Sequence, residues 1–119
     1  MKHTIVLIED DEDTREIITI ILQLEGFTII TTKVETYLDI VQTSLPSLII
    51  CDFMLGGSIN GAEVCNQLKS NQHTFNIPFL LISAVNGLPA IALGCRAEGY
   101  IEKPFDIEHM VERVRSAIA

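Results

Sequence analysis

The sequence predicts a single α/β domain built around a parallel β-sheet. Strand-like and helix-like patterns alternate along the chain, so that five short apolar runs are each followed by a segment with helical spacing. The runs are predominantly apolar, as expected for parallel strands that are covered on both faces. With 119 residues, 48% hydrophobic and 20% charged, the chain has the size and composition of one globular domain, which we assign to residues 1–119.

The first half of the chain is predicted to contain three strands and two helices. In order, the elements are strand Thr4–Ile8, a helix after Asp13, strand Phe27–Thr31, a weaker helix over Val34–Ser44 and strand Leu48–Cys51. Asp13 and Glu16 have the spacing of a capping box, and Gly26 suits the position that ends the first helix. Its inward residues are expected to be Ile17, Ile21 and Leu24, with Ile18 and Leu22 beside them.

The second half is predicted to add two strands and three helices. They are a helix carrying Val64, Cys65 and Leu68 after a Gly-rich loop, strand Phe79–Ile82, a helix over Val85–Ala97, strand Tyr100–Glu102 and a last helix capped by Asp106. The segment 85–97 is a poor helix because it contains Gly87, Pro89 and Gly94. The last helix is expected to turn inward Ile107, Met110, Val111, Val114 and Ile118.

This element order predicts one particular topology. Five strand–helix units with right-handed crossovers place helices on both faces of one sheet, as a three-layer sandwich. A flavodoxin-like strand order, 2-1-3-4-5, fits the count. In that order the first and third strands are neighbours, so Asp10 and Asp52 are expected to lie side by side at the switch point.

Polar residues follow four of the predicted strands at the point where each strand ends. The four segments are Ile8-Glu9-Asp10-Asp11, Cys51-Asp52-Phe53-Met54, Leu81-Ile82-Ser83-Ala84 and Glu102-Lys103-Pro104-Phe105. Because ligands of open α/β sheets bind at the carboxyl ends of the strands, acids, a hydroxyl and an ammonium should meet at one edge. This set of groups suits a hard divalent cation together with a phosphoryl group.

Composition excludes several classes of protein. A formal net charge of −8 argues against nucleic acid or an anionic membrane as a direct partner. The start of the chain does not have the pattern of a secretory signal, and no stretch is long and apolar enough for a membrane span. Three cysteines without metal-ligand spacing are expected to be buried thiols in a reducing compartment, which predicts a cytoplasmic protein.

The four strand-end segments, in this order, resemble those of the receiver domain of bacterial two-component response regulators, in particular single-domain regulators of the chemotaxis type. The resemblance covers essentially the whole chain. It implies that Asp52 accepts a phosphoryl group from a sensor histidine kinase or a phosphotransfer protein. It also implies an unidentified downstream protein partner and a phosphorylation-dependent dimer as one option. Such a domain phosphorylates and dephosphorylates itself and is not a turnover enzyme.

The same resemblance assigns a magnesium site. Asp10 matches the family's direct Mg²⁺ ligand and Glu9 the second acid, which usually acts through water. Asp52 and the backbone carbonyl of Met54 complete the protein ligands that the family implies. Clustered carboxylates repel one another, and a divalent cation relieves that repulsion.

The resemblance also assigns the phosphoryl contacts and the switch. Ser83 and Lys103 match the residues that stabilise the phosphoryl group. Ser83 and Tyr100 match the pair that rearranges when the group is present. Met54 and Val85 match positions that tune dephosphorylation, and both are apolar here.

Two departures and three alternatives remain open at this stage. The loop from Asp52 to Gly61 is one residue longer than usual with Gly56 in place of a common proline, and the stretch from Ser83 to Lys103 is a couple of residues short. The alternatives are a degenerate receiver that only docks partners, a flavodoxin-like cofactor binder and an aspartyl phosphatase. The acids after the first strand would repel a cofactor phosphate, and the phosphatase class wants an acid where Met54 stands.

Overall fold

The computed structural model describes residues 2–119, so Met1, the first residue of the predicted domain, lies outside the described residues. The strands are β1 (Thr4–Ile8), β2 (Thr28–Thr32), β3 (Leu48–Asp52), β4 (Phe79–Ser83) and β5 (Gly99–Glu102). The helices are α1 (Glu12–Leu24), α2 (Tyr37–Ser44), α3 (Gly61–Lys69), α4 (Leu88–Gly94) and α5 (Ile107–Ile118). Strands and helices alternate throughout, as predicted.

All five strands form one parallel sheet in the order β2-β1-β3-β4-β5, which confirms the predicted flavodoxin-like topology. Ile8 pairs with Cys51 at the end of β1, and Ser83 pairs with Glu102 at the end of β4. These registers align the carboxyl ends of the central strands. The residues that follow β1, β3, β4 and β5 therefore emerge at the same edge of the sheet.

Alternate residues of each strand face two separate cores. On β1, Val6 and Ile8 face a core shared with α2, α3 and α4, whereas Ile5 and Leu7 face a core shared with α1 and α5. This alternation follows from the two-residue period of a strand. The result is the predicted three-layer sandwich. Cys51, Cys65 and Cys95 are buried, as the composition suggested.

The start of α1 differs from the prediction. Asp11, not Asp13, caps the helix, because its carboxylate accepts from the Thr14 backbone N–H at 2.8 Å and from the Thr14 hydroxyl at 2.7 Å. Asp13 lies inside the first turn, so the predicted capping box with Glu16 is wrong. Both residues are aspartates, which cap helices equally well, so side-chain type did not distinguish Asp11 from Asp13.

The inward face of α1 is rotated relative to the prediction. Ile18, Ile21 and Leu22 are buried, but Ile17 is 53% exposed and Leu24 is 80% exposed. The apolar stripe of this helix is wider than the strip that the sheet covers. Apolar spacing alone does not show which part of the stripe reaches the core.

Two of the remaining helices, α2 and α4, are shorter than expected. The helix predicted from Val34 begins at Tyr37, and α4 covers only residues 88–94 of the predicted 85–97. Gly87 precedes α4 with φ of 79°, and no side chain caps that helix. Asp106 caps α5 as predicted, accepting from the His109 backbone N–H at 2.7 Å.

The inward face of α5 is confirmed in part. Met110 and Val114 are buried, and Val111 and Ile118 are half-buried against the same core. Ile107 is exposed, so that assignment is wrong; it is the first residue of the helix and lies beyond the edge of the core.

None of the helices described between residues 2 and 119 has the length and apolar character that a membrane crossing requires.

Candidate functional site

Three side chains from distant parts of the sequence meet at the carboxyl edge of the sheet. The Lys103 ammonium lies 2.7 Å from Asp52 Oδ2 and 3.3 Å from Glu9 Oε1. Glu9 follows β1, Asp52 ends β3 and Lys103 follows β5. The parallel topology therefore brings these sequence-predicted residues together. The Lys103-Pro104 peptide bond is cis.

The two acids of this cluster are almost fully buried. Glu9 is 1% exposed and Asp52 is 5% exposed, whereas Lys103 is half-buried and Asp10 is exposed. Gly56 lies beside Asp10, since a Cβ added at Gly56 would sit 3.5 Å from Asp10 Oδ2. Asp10 is thus the carboxylate at the solvent rim of the site, and the other two acids lie beneath it.

The site carries more negative charge than its surroundings can solvate. Burial raises the pKa of Glu9 to about 7, and the nearby charge of Asp52 adds to that rise. The Asp11 backbone N–H, which donates to Glu9 Oε2 at 3.2 Å, and the Lys103 ammonium act in the opposite direction. Additional positive charge at this edge would favour the ionised form of Glu9.

Lys103 is the counter-ion that the chain itself supplies. Burial disfavours its charged form, but the hydrogen bond and charge of Asp52, with the charge of Glu9, outweigh burial and raise the pKa of Lys103. The residue therefore stays an ammonium beside the two carboxylates. It provides a fixed positive charge where further negative charge could be added.

The loop after β3 holds the Asp52 carboxylate from its other side. The Met54 backbone N–H donates to Asp52 Oδ1 at 3.0 Å, while the Met54 side chain is 65% exposed. Oδ2 contacts Lys103, so each oxygen of the carboxylate has a partner. The orientation of Asp52 is set by one backbone and one side-chain donor.

Gly61 is a site residue that the sequence did not single out. A Cβ at this position would lie 2.3 Å from the Asp52 carbonyl oxygen and 2.9 Å from Leu81 Cδ2. The loop returns to the strand here because Gly61 begins α3 and donates its N–H to the Phe53 carbonyl at 2.8 Å. The sequence does contain a local indication of this helix start, because Asn60 and Glu63 form a capping box around this glycine.

Gly61→Ala should destabilise the fold and move Asp52. Since the clash is with backbone at 2.3 Å, it cannot be relieved by a side-chain rotation, and overpacking of this kind costs about 1–3 kcal/mol. Urea unfolding measures the loss. Gly94→Ala is the matched control, because nothing lies within 4 Å of a Cβ there. Equal stability of the two variants would contradict the close approach.

The sequence-predicted switch residues lie on one face of the sheet. Ser83 is buried, and its hydroxyl accepts from the Val85 backbone N–H at 3.2 Å. Tyr100, on the neighbouring strand, packs against the same core as Leu81, with the Arg113 guanidinium 5.3 Å from its ring centroid. Ser83 thus points toward the loop before α4 and makes no hydrogen bond to Asp52.

The oxygen donors at this edge fit a hydrated Mg²⁺. Among residues 2–119, no group of three or more His, Cys, Asp or Glu side chains is arranged to hold a metal by itself. Mg²⁺ does not require such a cage, since it keeps several waters and uses one or two carboxylates with a backbone carbonyl or a phosphate. Asp10 at the rim, Asp52 and the nearby Met54 backbone supply that chemistry.

An apolar groove adjoins the cluster. It has a volume of about 480 Å³, lies between α1 and the loop that joins β5 to α5, and has Lys103 in its lining. Its apolar walls include Ile17, Phe105 and Ile107. Ile17 and Ile107 are two of the residues that the sequence analysis had placed in the core, and their exposure contributes to this surface.

Comparison with known proteins gives a family. The family model described as "Response regulator receiver domain" matches residues 5–115. The DNA-binding response regulator MtrA of Mycolicibacterium paratuberculosis is 32% identical over 99% of this chain and 52% of its own length. The DNA-binding dual master transcriptional regulator RpaA of Synechocystis is 30% identical over 96% of this chain and 48% of its own length. The chain spans about half the length of these curated relatives.

Solved structures agree with this fold. A response regulator from Chloroflexus aurantiacus has a TM-score of 0.93 at 25% identity, covering 99% of this chain and 98% of that one. The chemotaxis protein CheY4 of Vibrio cholerae has a TM-score of 0.89 at 18% identity, covering 98% and 99%, and supports the fold alone. With the family match over nearly the whole chain, the conclusion follows that this chain belongs to the response regulator receiver domain family of two-component signalling.

Proposed function

We propose that this domain is a Mg²⁺-dependent phosphoacceptor in which Asp52 receives a phosphoryl group from a histidine kinase or a phosphotransfer protein. The observation that carries the proposal is the 2.7 Å contact between Lys103 and a buried Asp52, with Glu9 beside them. A lysine held between two buried acids at a sheet edge is a costly arrangement. Stabilising a transferred phosphoryl group is a function that would account for it.

In the proposed reaction an Asp52 oxygen attacks phosphorus and forms an acyl phosphate. The P–N bond of the donor's phosphohistidine breaks, and the imidazole leaves with the electron pair. Lys103 offsets the negative charge on the phosphoryl oxygens. Ser83 would turn from the Val85 N–H toward one of those oxygens and donate its hydroxyl proton.

The proposed magnesium ligands are Asp10, Asp52 and the Met54 carbonyl, with Glu9 acting through water. Bound Mg²⁺ would supply positive charge for the phosphoryl oxygens. Asp10 suits direct ligation because it lies at the solvent rim. Glu9 suits the indirect role because it is buried and already paired with Lys103.

Asp10→Ala should weaken Mg²⁺ binding by about tenfold or more, and Glu9→Ala by a smaller factor, because a direct ligand is harder to replace than one acting through water. Isothermal titration calorimetry with MgCl₂ gives both affinities. Asp13→Ala is the control, since it removes an exposed acid of the same segment. Weaker binding in Glu9→Ala than in Asp10→Ala would reverse the assignment.

The direct test of the function is incubation with acetyl phosphate and MgCl₂ followed by intact-mass measurement. The proposal requires a single adduct of about 80 Da, the mass of one phosphoryl group, that is absent when EDTA is present. A chain that binds partners but never takes the adduct would be the docking-only receiver instead.

The groove beside Lys103 is the proposed docking surface for the phosphodonor protein. A donor that brings a phosphohistidine to Asp52 must cover the adjoining rim, and this rim is apolar through Ile17, Phe105 and Ile107. The partner would therefore present an apolar surface next to its histidine.

Ile17→Ser should slow phosphotransfer from a protein donor by about tenfold, since burying an aliphatic side chain is worth roughly 1.5 kcal/mol or more, and should spare the reaction with acetyl phosphate. Rates are measured with the histidine kinase that phosphorylates the native chain fastest. Leu93→Ser is the control, because Leu93 is also an exposed aliphatic residue but lies on α4. Equal slowing with both donors would contradict a docking role for Ile17.

The proposed output is a change in partner binding, not turnover of a substrate. Phosphorylation would be read by a protein partner or by a second copy of the chain, through Ser83 and Tyr100. A net charge of −8 disfavours direct contact of this domain with nucleic acid. Met54 and Val85 offer no polar side-chain group to hold a water at the phosphoryl group, so the phosphorylated form is expected to be long-lived.

A further inference from the structure

Among residues 2–119 there are five sulfur-bearing side chains, and one is open to solvent. Cys51, Cys65, Cys95 and Met110 are all buried, whereas Met54 is 65% exposed. Burial is also the main cause that raises the pKa of the Cys51 and Cys65 thiols, so their reactive thiolate forms are suppressed. Of these five sulfurs, the Met54 thioether is therefore the one that a small oxidant in solution meets first.

Met54 is also tied to the phosphoacceptor. Its backbone N–H donates to Asp52 Oδ1 at 3.0 Å, and its side chain extends into solvent from the loop between β3 and α3. Asp52 itself is 5% exposed, so water reaches its carboxylate through a narrow opening. A change in polarity at Met54 therefore falls on the exposed residue whose backbone N–H holds that carboxylate.

We propose that Met54 is a reversible oxidation site through which peroxide shortens the lifetime of the phosphorylated domain. This inference rests on the proposed function of Asp52. The thioether sulfur attacks one oxygen of hydrogen peroxide and the O–O bond breaks. The products are methionine sulfoxide and water, so sulfur loses two electrons and the peroxide gains them.

The modification supplies the group that the native rim lacks. A thioether is a poor hydrogen-bond acceptor, whereas the sulfoxide is polar and its oxygen accepts hydrogen bonds well. Such an acceptor can hold a water in line with phosphorus on the side opposite the Asp52 oxygen. One ordinary hydrogen bond made in the transition state corresponds to about a two- to tenfold faster hydrolysis.

The test uses the full chain and hydrogen peroxide as the probe. Peptide mapping first locates the added oxygen, a gain of about 16 Da, which is expected at Met54 before Met110 or any cysteine. Treated and untreated chains are then phosphorylated with acetyl phosphate and MgCl₂, freed of the donor, and followed by intact mass. Met54→Leu is the matched variant, and each protein is compared with its own untreated sample.

The expected result is faster loss of the phosphoryl group after peroxide in the native chain, no peroxide effect in Met54→Leu, and recovery after methionine sulfoxide reductase. The proposal is overturned if decay is unchanged or slower with Met54 fully oxidised, if another sulfur is oxidised first, or if Met54→Leu responds equally. If the untreated chain takes no phosphoryl group, the proposed function is wrong, and the proposed effect on decay is wrong with it. If the phosphoprotein forms but its decay is unchanged by oxidation, only this inference is refuted.

Discussion

Asp52→Asn should abolish the Mg²⁺-dependent adduct of about 80 Da that acetyl phosphate forms with the native chain. An amide is not a nucleophile toward phosphorus, and it carries no charge to hold a divalent cation. The substitution nearly preserves shape, and its carbonyl oxygen can still accept from the Met54 backbone N–H. The loss therefore reports on chemistry and not on the loop.

The matched control for this experiment is Asp39→Asn, because Asp39 is an exposed acid in the first turn of α2. It should take up the adduct like the native chain. Thermal unfolding of both variants verifies that they fold. An undiminished adduct in Asp52→Asn would move the phosphoacceptor to another residue.

Lys103→Ala should slow phosphorylation by acetyl phosphate by roughly a hundredfold, the scale seen when one preorganised donor to a developing anion is removed. Its ammonium is the one side-chain cation within 4.0 Å of Asp52 among residues 2–119. Magnesium binding should persist, because the substitution removes a positive charge from beside the metal ligands. The two readouts therefore separate a role in phosphoryl transfer from a role in metal binding.

The kinetic measurement is the rate of adduct formation at saturating MgCl₂, with the exposed Lys33→Ala as control. Lys103→Ala also leaves Glu9 and Asp52 buried without their counter-ion, so a lower thermal midpoint is expected. Unchanged phosphorylation kinetics in a folded Lys103→Ala protein would count against the proposed role of this residue.

Much of this fold could be predicted because its information is local. The observed bounds of β1, β3 and β4 differ from the predicted bounds by at most one residue. Short continuous apolar segments of this length, bounded by polar residues, are typical of buried parallel strands. In a parallel sheet, the residues that follow the strands, β5 included, share one edge. The convergence of Glu9, Asp52 and Lys103 followed from that rule.

The same patterns did not show which residues of each helix face the sheet. The exposed Ile17 and Ile107 fit the apolar spacing of their helices as well as buried neighbours do, and only contact with the sheet distinguishes them. The predicted bounds of α4, residues 85–97, were too wide at both ends, since the helix covers residues 88–94. Glu98, four residues beyond the end of that helix, pairs with the buried Lys69 ammonium at 2.8 Å, and the local sequence does not indicate this contact.

The sequence by itself determined the order of elements, the strand ends and the set of chemical groups at the sheet edge, because each depends on residues close together in the chain. Tertiary structure alone decided how those groups interact. Lys103 and Glu9 are 94 residues apart, yet their ion pair, the burial of Glu9 and the rise of its pKa come from three strand ends packed against one another. Burial and charge proximity arise only when the carboxyl edge of the sheet has formed. The dielectric environment of a carboxylate is set by the residues that pack around it in space, and not by its neighbours in sequence.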